Sequence, residues 1–151
     1  MSGSLTFMMG KFAAAFPTDR HYAKNHMWAL PRGSVVRFGF SAYAVRLLQD
    51  VYFLDWTVAA GANLAERQEI GQIESKKAES SLYAPVPGVL TEFNQELLAD
   101  PSAINVETYG AGWLFEMQAA PDKLLSPEQY LQHLEGVWEI AQRTIKGQMN
   151  E

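Results

Sequence analysis

Gly71-Gln72-Ile73-Glu74-Ser75-Lys76-Lys77-Ala78-Glu79-Ser80-Ser81-Leu82-Tyr83-Ala84-Pro85-Val86-Pro87-Gly88 is the stretch from which the rest of the chain can be ordered. Two short apolar segments, residues 71–73 and 82–86, flank a small polar tip that holds two adjacent lysines. Pro85, Pro87 and Gly88 end the unit. The pattern predicts a β-hairpin. A lysine at its tip stands on a rigid support with its amine in water, which is how reactive or modified groups are often displayed. A surface hairpin with a solvated lysine pair has the same pattern, and periodicity alone does not separate the two.

Outward from the hairpin, short β-type segments recur on both sides. Residues 35–40 read as a strand, and Ser41 is a suitable N-cap for a helix over residues 42–48, closed by Asp50. Val51-Tyr52-Phe53-Leu54-Asp55-Trp56-Thr57-Val58 is β-branched and aromatic, as expected of a largely buried strand whose aromatics belong to the core. Residues 60–63 form a turn and residues 64–69 a polar link into the hairpin. Beyond it, residues 89–93 alternate as a half-exposed strand, and residues 94–106 make a long excursion with a turn fixed by Pro101. Residues 113–117 read as the last strand. Many short strands with Gly and Pro turns predict a barrel or sandwich.

The C-terminal segment changes period. Ser126 as N-cap, Pro127 at the first helical position and Gln129 three residues after the cap form a sound helix start. Tyr130, Leu131, Leu134, Val137, Trp138, Ala141 and Ile145 then recur at three- and four-residue steps, an apolar face, with Gly147 expected to end the helix. His133 lies just off that face.

Composition narrows the function classes. For 151 residues one domain is the default, and a chain of this size buries roughly 68–70% of its unfolded surface. Hydrophobic residues at 48% and charged residues at 19% describe an ordinary globular domain. A net charge of −5 argues against nucleic acid and anionic membrane surfaces as partners. With no Cys and three His, there is no disulfide framework, no thiol nucleophile and no metal-ligand spacing. Sulfur chemistry would have to come from a bound group. The apolar pieces in residues 1–20 are too short to span a bilayer and lack the plan of a secretory signal; they are expected to form an arm packed on the domain or a partner, in a cytoplasmic protein, with a cleaved transit peptide as the alternative, since Lys11 and Arg20 are basic and Asp19 is the only acid.

The wording of several segments goes further. Glu74-Ser75-Lys76-Lys77-Ala78 matches the E-S-x-K-A core of lipoyl-carrier proteins, and residues 82–88 are similar to that family's strand after the modified lysine. Asn94-Gln95-Glu96-Leu97, Ile104-Asn105 and Tyr109-Gly110-Ala111-Gly112-Trp113-Leu114 resemble the signature segments of the glycine cleavage system H protein family. The resemblance runs in one order from about Tyr22 to Met117. It implies a mainly β fold with a C-terminal helix, a flattened barrel-sandwich hybrid with the lysine at a hairpin tip. The implied divisions are an N-terminal arm over residues 1–21, outside the match, a lipoyl-carrier domain over residues 22–119, and a C-terminal helical extension over residues 120–151.

By the same resemblance, Lys77 carries lipoate in amide linkage, and Glu74 and Ala78 belong to the tip motif. Glu74 and Glu79 are then recognition charges for a lipoate-attaching ligase. Biotin carriers place Met on both sides of their lysine, whereas Lys77 has Lys76 and Ala78. A carrier does no chemistry itself and serves redox or transferase enzymes of its pathway. Two departures bear on the pathway. The family's H-E-W reads His26-Met27-Trp28 here, and the acid four residues after the lysine is Ser81. Opposite charges offset the desolvation of a cationic cargo, so losing both weakens its retention. Met27, Ser81 and His26 become cargo-cleft candidates. The departures point first to a divergent member resembling the lipoate-binding protein of heterodisulfide-reductase-like sulfur oxidation. The glycine cleavage carrier of aminomethyl comes second, and an unmodified scaffold third.

Overall fold

The computed structural model describes residues 3–149, with the side chains of residues 121 and 141–149 outside that description. In chain order the elements are β1 (Ser4–Met9), β2 (Phe12–Pro17), β3 (His21–Tyr22), β4 (Met27–Arg32), β5 (Val35–Phe40), α1 (Ala42–Leu48) and β6 (Val51–Trp56). They continue with β7 (Asn63–Leu64), β8 (Glu69–Ser75), β9 (Glu79–Tyr83), β10 (Gly88–Phe93), α2 (Glu96–Ala99), α3 (Ala103–Val106), β11 (Phe115–Gln118) and α4 (Pro127–Met149). The strands form three antiparallel sheets: the hairpin β1-β2, a six-stranded sheet in the order β3-β4-β5-β11-β10-β7, and a three-stranded sheet β6-β8-β9. The fold is mainly β with a C-terminal helix, as expected; its two main sheets face one another without joining into a closed barrel.

Two apolar cores explain this arrangement. Phe38, Leu90, Phe115 and Met117 of the large sheet meet Leu54, Ile70, Ile73 and Leu82 of the small one, all fully or nearly fully buried. Each strand turns alternate residues to that interior, so burial of one face fixes its register. The second core lies on the other side of β4. There Phe7, Met9, Ala14 and Phe16 of the N-terminal hairpin pack with Tyr22, Trp28, Tyr43 of α1, and Tyr130 and Leu134 of α4. The Tyr22 and Tyr130 rings stack at 4.7 Å, and Phe16 meets both edge-on. The arm expected at the N-terminus is therefore a β-hairpin seated on α1 and α4.

Several local expectations are corrected. β9 starts at Glu79, earlier than the apolar run indicated, because Ser80 and Ser81 pair with Ile73 and Gln72. The β6 segment is an edge strand, and its Tyr52 and Phe53 are exposed while Trp56 stacks on Phe93. Ser41 occupies the N-cap position of α1 without a side-chain cap; its hydroxyl meets the Tyr130 hydroxyl at 2.8 Å. Ser126 and Gln129 do form the reciprocal cap of α4, at 3.1 and 2.9 Å. Gly147 does not end α4, which runs to Met149. Tyr130 and Leu134 of its expected face are buried, and Leu131, Val137 and Trp138 pack partly; the side chains of Ala141 and Ile145 lie outside the described set. No described helix is long and apolar enough to cross a membrane.

Candidate functional site

The β8–β9 hairpin places two lysines at the far end of the small sheet. Glu74 pairs with Glu79, and the chain turns through Lys76 and Lys77, both exposed. Two-residue hairpin loops ordinarily rely on residues with positive φ. The β1–β2 and β4–β5 hairpins follow that rule, with Gly10 and Gly33 each at φ 64°. Neither lysine of the tip has a positive φ, so this turn is held by other bonds. The Ser75 N–H donates to the Ala78 carbonyl at 2.8 Å, and the Ala78 N–H donates to the buried Ser75 hydroxyl at 3.2 Å. The serine of the tip motif is thus its staple.

A second fastening comes from outside the hairpin. The Lys76 N–H donates to the Asp50 carbonyl at 2.9 Å. Asp50 is itself bracketed by Asn105 of α3, which donates to the Gln49 carbonyl at 2.6 Å and accepts from the Val51 N–H at 2.9 Å. Gln49 has φ 59°, a left-handed conformation with a cost for a residue bearing a Cβ, and Asn105 holds it there. The sequence flagged Asn105 as a motif residue but gave no sign of this link. Its partners lie 54 and 56 positions away in the chain. Gly71 completes the support: a Cβ there would come within 2.5 Å of the Asp55 carbonyl, so only glycine lets β8 approach β6 so closely.

The remaining candidates are spread over three places. Glu74, Glu79 and Ser81 line a shallow depression of about 200 Å³ beside the tip, with Ser80 and Gln72. Glu74 and Glu79 face each other across the hairpin. Met27 lies in the main core at 1% exposure, across from Phe40. His26 faces the second core instead, its Nδ1 at 2.9 Å from the Tyr130 hydroxyl and its ring 4.6 Å from Tyr43. Burial, then the charge of His133, push its pKa down to about 4, so His26 is neutral at neutral pH. Its φ of 72° marks a strained turn between β3 and β4. Ser81, Met27 and His26 therefore do not converge on one cleft. A larger cleft of about 760 Å³ opens at the base of β9, where Lys24, Arg67 and Tyr83 face Leu124 and Gln129.

A family model described as Glycine cleavage H-protein matches residues 20–141. The glycine cleavage system H protein of Thermobifida fusca (strain YX) is 36% identical over 122 residues, spanning 80% of this chain and 96% of that protein. That of Beutenbergia cavernae is 42% identical over 104 residues, spanning 69% of this chain and 83% of its own. Among solved structures, the crystal structure of a glycine cleavage system H protein from Mycobacterium marinum superposes with a TM-score of 0.68 at 31% identity, covering 80% of this chain and 98% of that one.

Proposed function

The chain belongs to the glycine cleavage H-protein family, and from that membership we propose that it is the lipoylated carrier of a glycine cleavage system, with Lys77 as its attachment site. It is a carrier and not an enzyme. Proteins of this family carry lipoate on a lysine, and the observation that supports Lys77 is the hairpin tip itself. Ser75 staples the turn, the Asp50 carbonyl holds the Lys76 amide, and the Lys77 side chain is left in solvent, where a modifying enzyme reaches it. The bound group supplies a dithiolane, a reversible two-electron and group-carrying centre that a chain without cysteine lacks. The chain supplies the stiff mount, which sets the direction and reach of the arm. Glu74 and Glu79 are the recognition charges beside it. The division into an arm (1–21), a carrier domain (22–119) and a helical extension (120–151) goes with this reading. The partners are a lipoate-attaching ligase and the transferase and redox enzymes of the pathway, in the cytoplasm.

The names of the relatives favour glycine cleavage over the sulfur-oxidation carrier that the departures at Met27 and Ser81 put first. Ser81, which lines the depression beside the tip and provides no anion for a cationic cargo, still supports the sulfur carrier as a second reading, whereas Met27 is buried in the main core. Glycine–bicarbonate exchange separates the two. Lipoylated protein added to the decarboxylating and aminomethyl-transferring enzymes is expected to restore exchange; lipoylated protein that supports none would remove the glycine reading and leave the sulfur carrier.

A further inference from the structure

Beside the lysine tip, the small sheet ends in an edge strand that exposes aromatic surface. Val51 pairs with Ser75 and Phe53 with Glu74, so Tyr52 is the extra residue of a bulge. The bulge turns two successive rings outward: Tyr52 is 61% exposed and Phe53 43%. α2 lies against β6 and carries the exposed Leu98, while α3, tied to Val51 through Asn105, carries the exposed Val106. Exposed apolar residues on an edge strand are an association hazard unless a partner covers them.

Resting on the carrier reading above, we infer that the Tyr52–Phe53 bulge is the docking strip for the enzyme that acylates Lys77. Reach selects the partner. Attachment forms an amide between the Lys77 Nζ and an ATP-activated lipoyl carboxylate, releasing AMP and a proton. At that stage the carrier has only a lysine side chain to extend, so the ligase must lie against the body of the hairpin. Enzymes that act later work through the full arm and can stand further off. Phe53 is one strand across and three residues back from Lys77, no more than about 11 Å at ordinary strand spacings. An interface of standard size covers about 800 Å² on each partner, a disc of about 16 Å radius, which takes in the strip. Buried aromatic anchors of this kind carry a large share of binding energy in such interfaces.

The test uses the full apo chain with a lipoate–protein ligase, lipoate and ATP. The Tyr52→Ser/Phe53→Ser double variant is expected to lose at least about ten-fold in kcat/KM, mainly through KM, with an unchanged melting temperature. In parallel, ligase added to the Lys77→Arg chain is expected to slow amide hydrogen exchange in residues 50–54, a measurement that needs no substitution in the strip. Acylation of the double variant at the wild-type rate, or exchange protection that spares residues 50–54, would overturn the inference. So would normal acylation with lost exchange activity, which assigns the strip to the pathway enzymes. A dimer abolished by the double substitution, with acylation intact, assigns it to a second copy and also overturns it. A wild-type chain that no ligase modifies fails the carrier reading itself, a different result from a defect confined to the variant.

Discussion

At the scale of single residues, the tip depends on bonds of unequal visibility. Ser75 and Ala78 lie three apart, and their pairing is local chemistry that the E-S-K-K-A wording carries. Asn105 and the Asp50 carbonyl act across the fold, and no local pattern announces them because packing alone brings α3 to β6. Asn105→Ala removes a donor and an acceptor and leaves the Val51 amide unpaired; it is expected to cost about 1–3 kcal/mol. Hydrogen exchange at the Lys76 amide should speed up with it, and unchanged exchange would separate Asn105 from the tip. His26 gives a pH dependence. Its folded pKa of about 4 lies below the ordinary 6.5, so between those values the unfolded chain binds a proton that the folded chain refuses. The stability contributed by neutral His26 is complete above about pH 6.5 and is lost as the pH falls towards 4, by up to about 3 kcal/mol. Melting temperatures of wild type and His26→Asn across that window should converge at the acid end, since asparagine tolerates the left-handed backbone and does not titrate. The resemblance alone named His26 and Met27 together, but alternation along the chain sends them to opposite cores.

At the scale of elements, the sequence was most legible where a signal was complete within a few residues. The cap of α4 follows from Ser126, Pro127 and Gln129. It was least legible where a strand's position in its sheet decides exposure. The apolar run of β6 reads as an interior strand, but β6 is an edge, and a bulge turns two of its rings outward. Gly147 misled for a related reason: one glycine costs a helix only about 1 kcal/mol, and α4 continues through it. The N-terminal hairpin and α4 depend on one another through the second core. Phe16 is fully buried between Tyr22 and Tyr130, and Phe16→Ala is expected to cost about 3–5 kcal/mol. Because Trp138 packs edge-on to Tyr43 in the same layer, its fluorescence should shift towards that of a solvated indole in this variant. An unchanged spectrum would mean that α4 stays docked without the hairpin's support.

At the scale of the whole molecule, the fold separates holding from displaying. Two cores, one between the main sheets and one under the hairpin and α4, consume most of the aromatic side chains. The small sheet projects a short, cross-braced turn with one exposed lysine pair at its end. Fold class was legible because the strand and turn signals agree with the family wording; pathway was less so, because a cargo is recognised by surfaces that a linear motif does not describe. The most direct measurement is the intact mass and peptide map of the protein from its native cell, beside Lys77→Arg and Lys76→Arg variants. A lipoyl mass increment on wild type and Lys76→Arg, lost in Lys77→Arg, is the expected result. An unmodified wild type, from cells whose other lipoyl proteins are loaded, or an increment lost only in Lys76→Arg, would contradict the assignment of Lys77 as the carrier lysine.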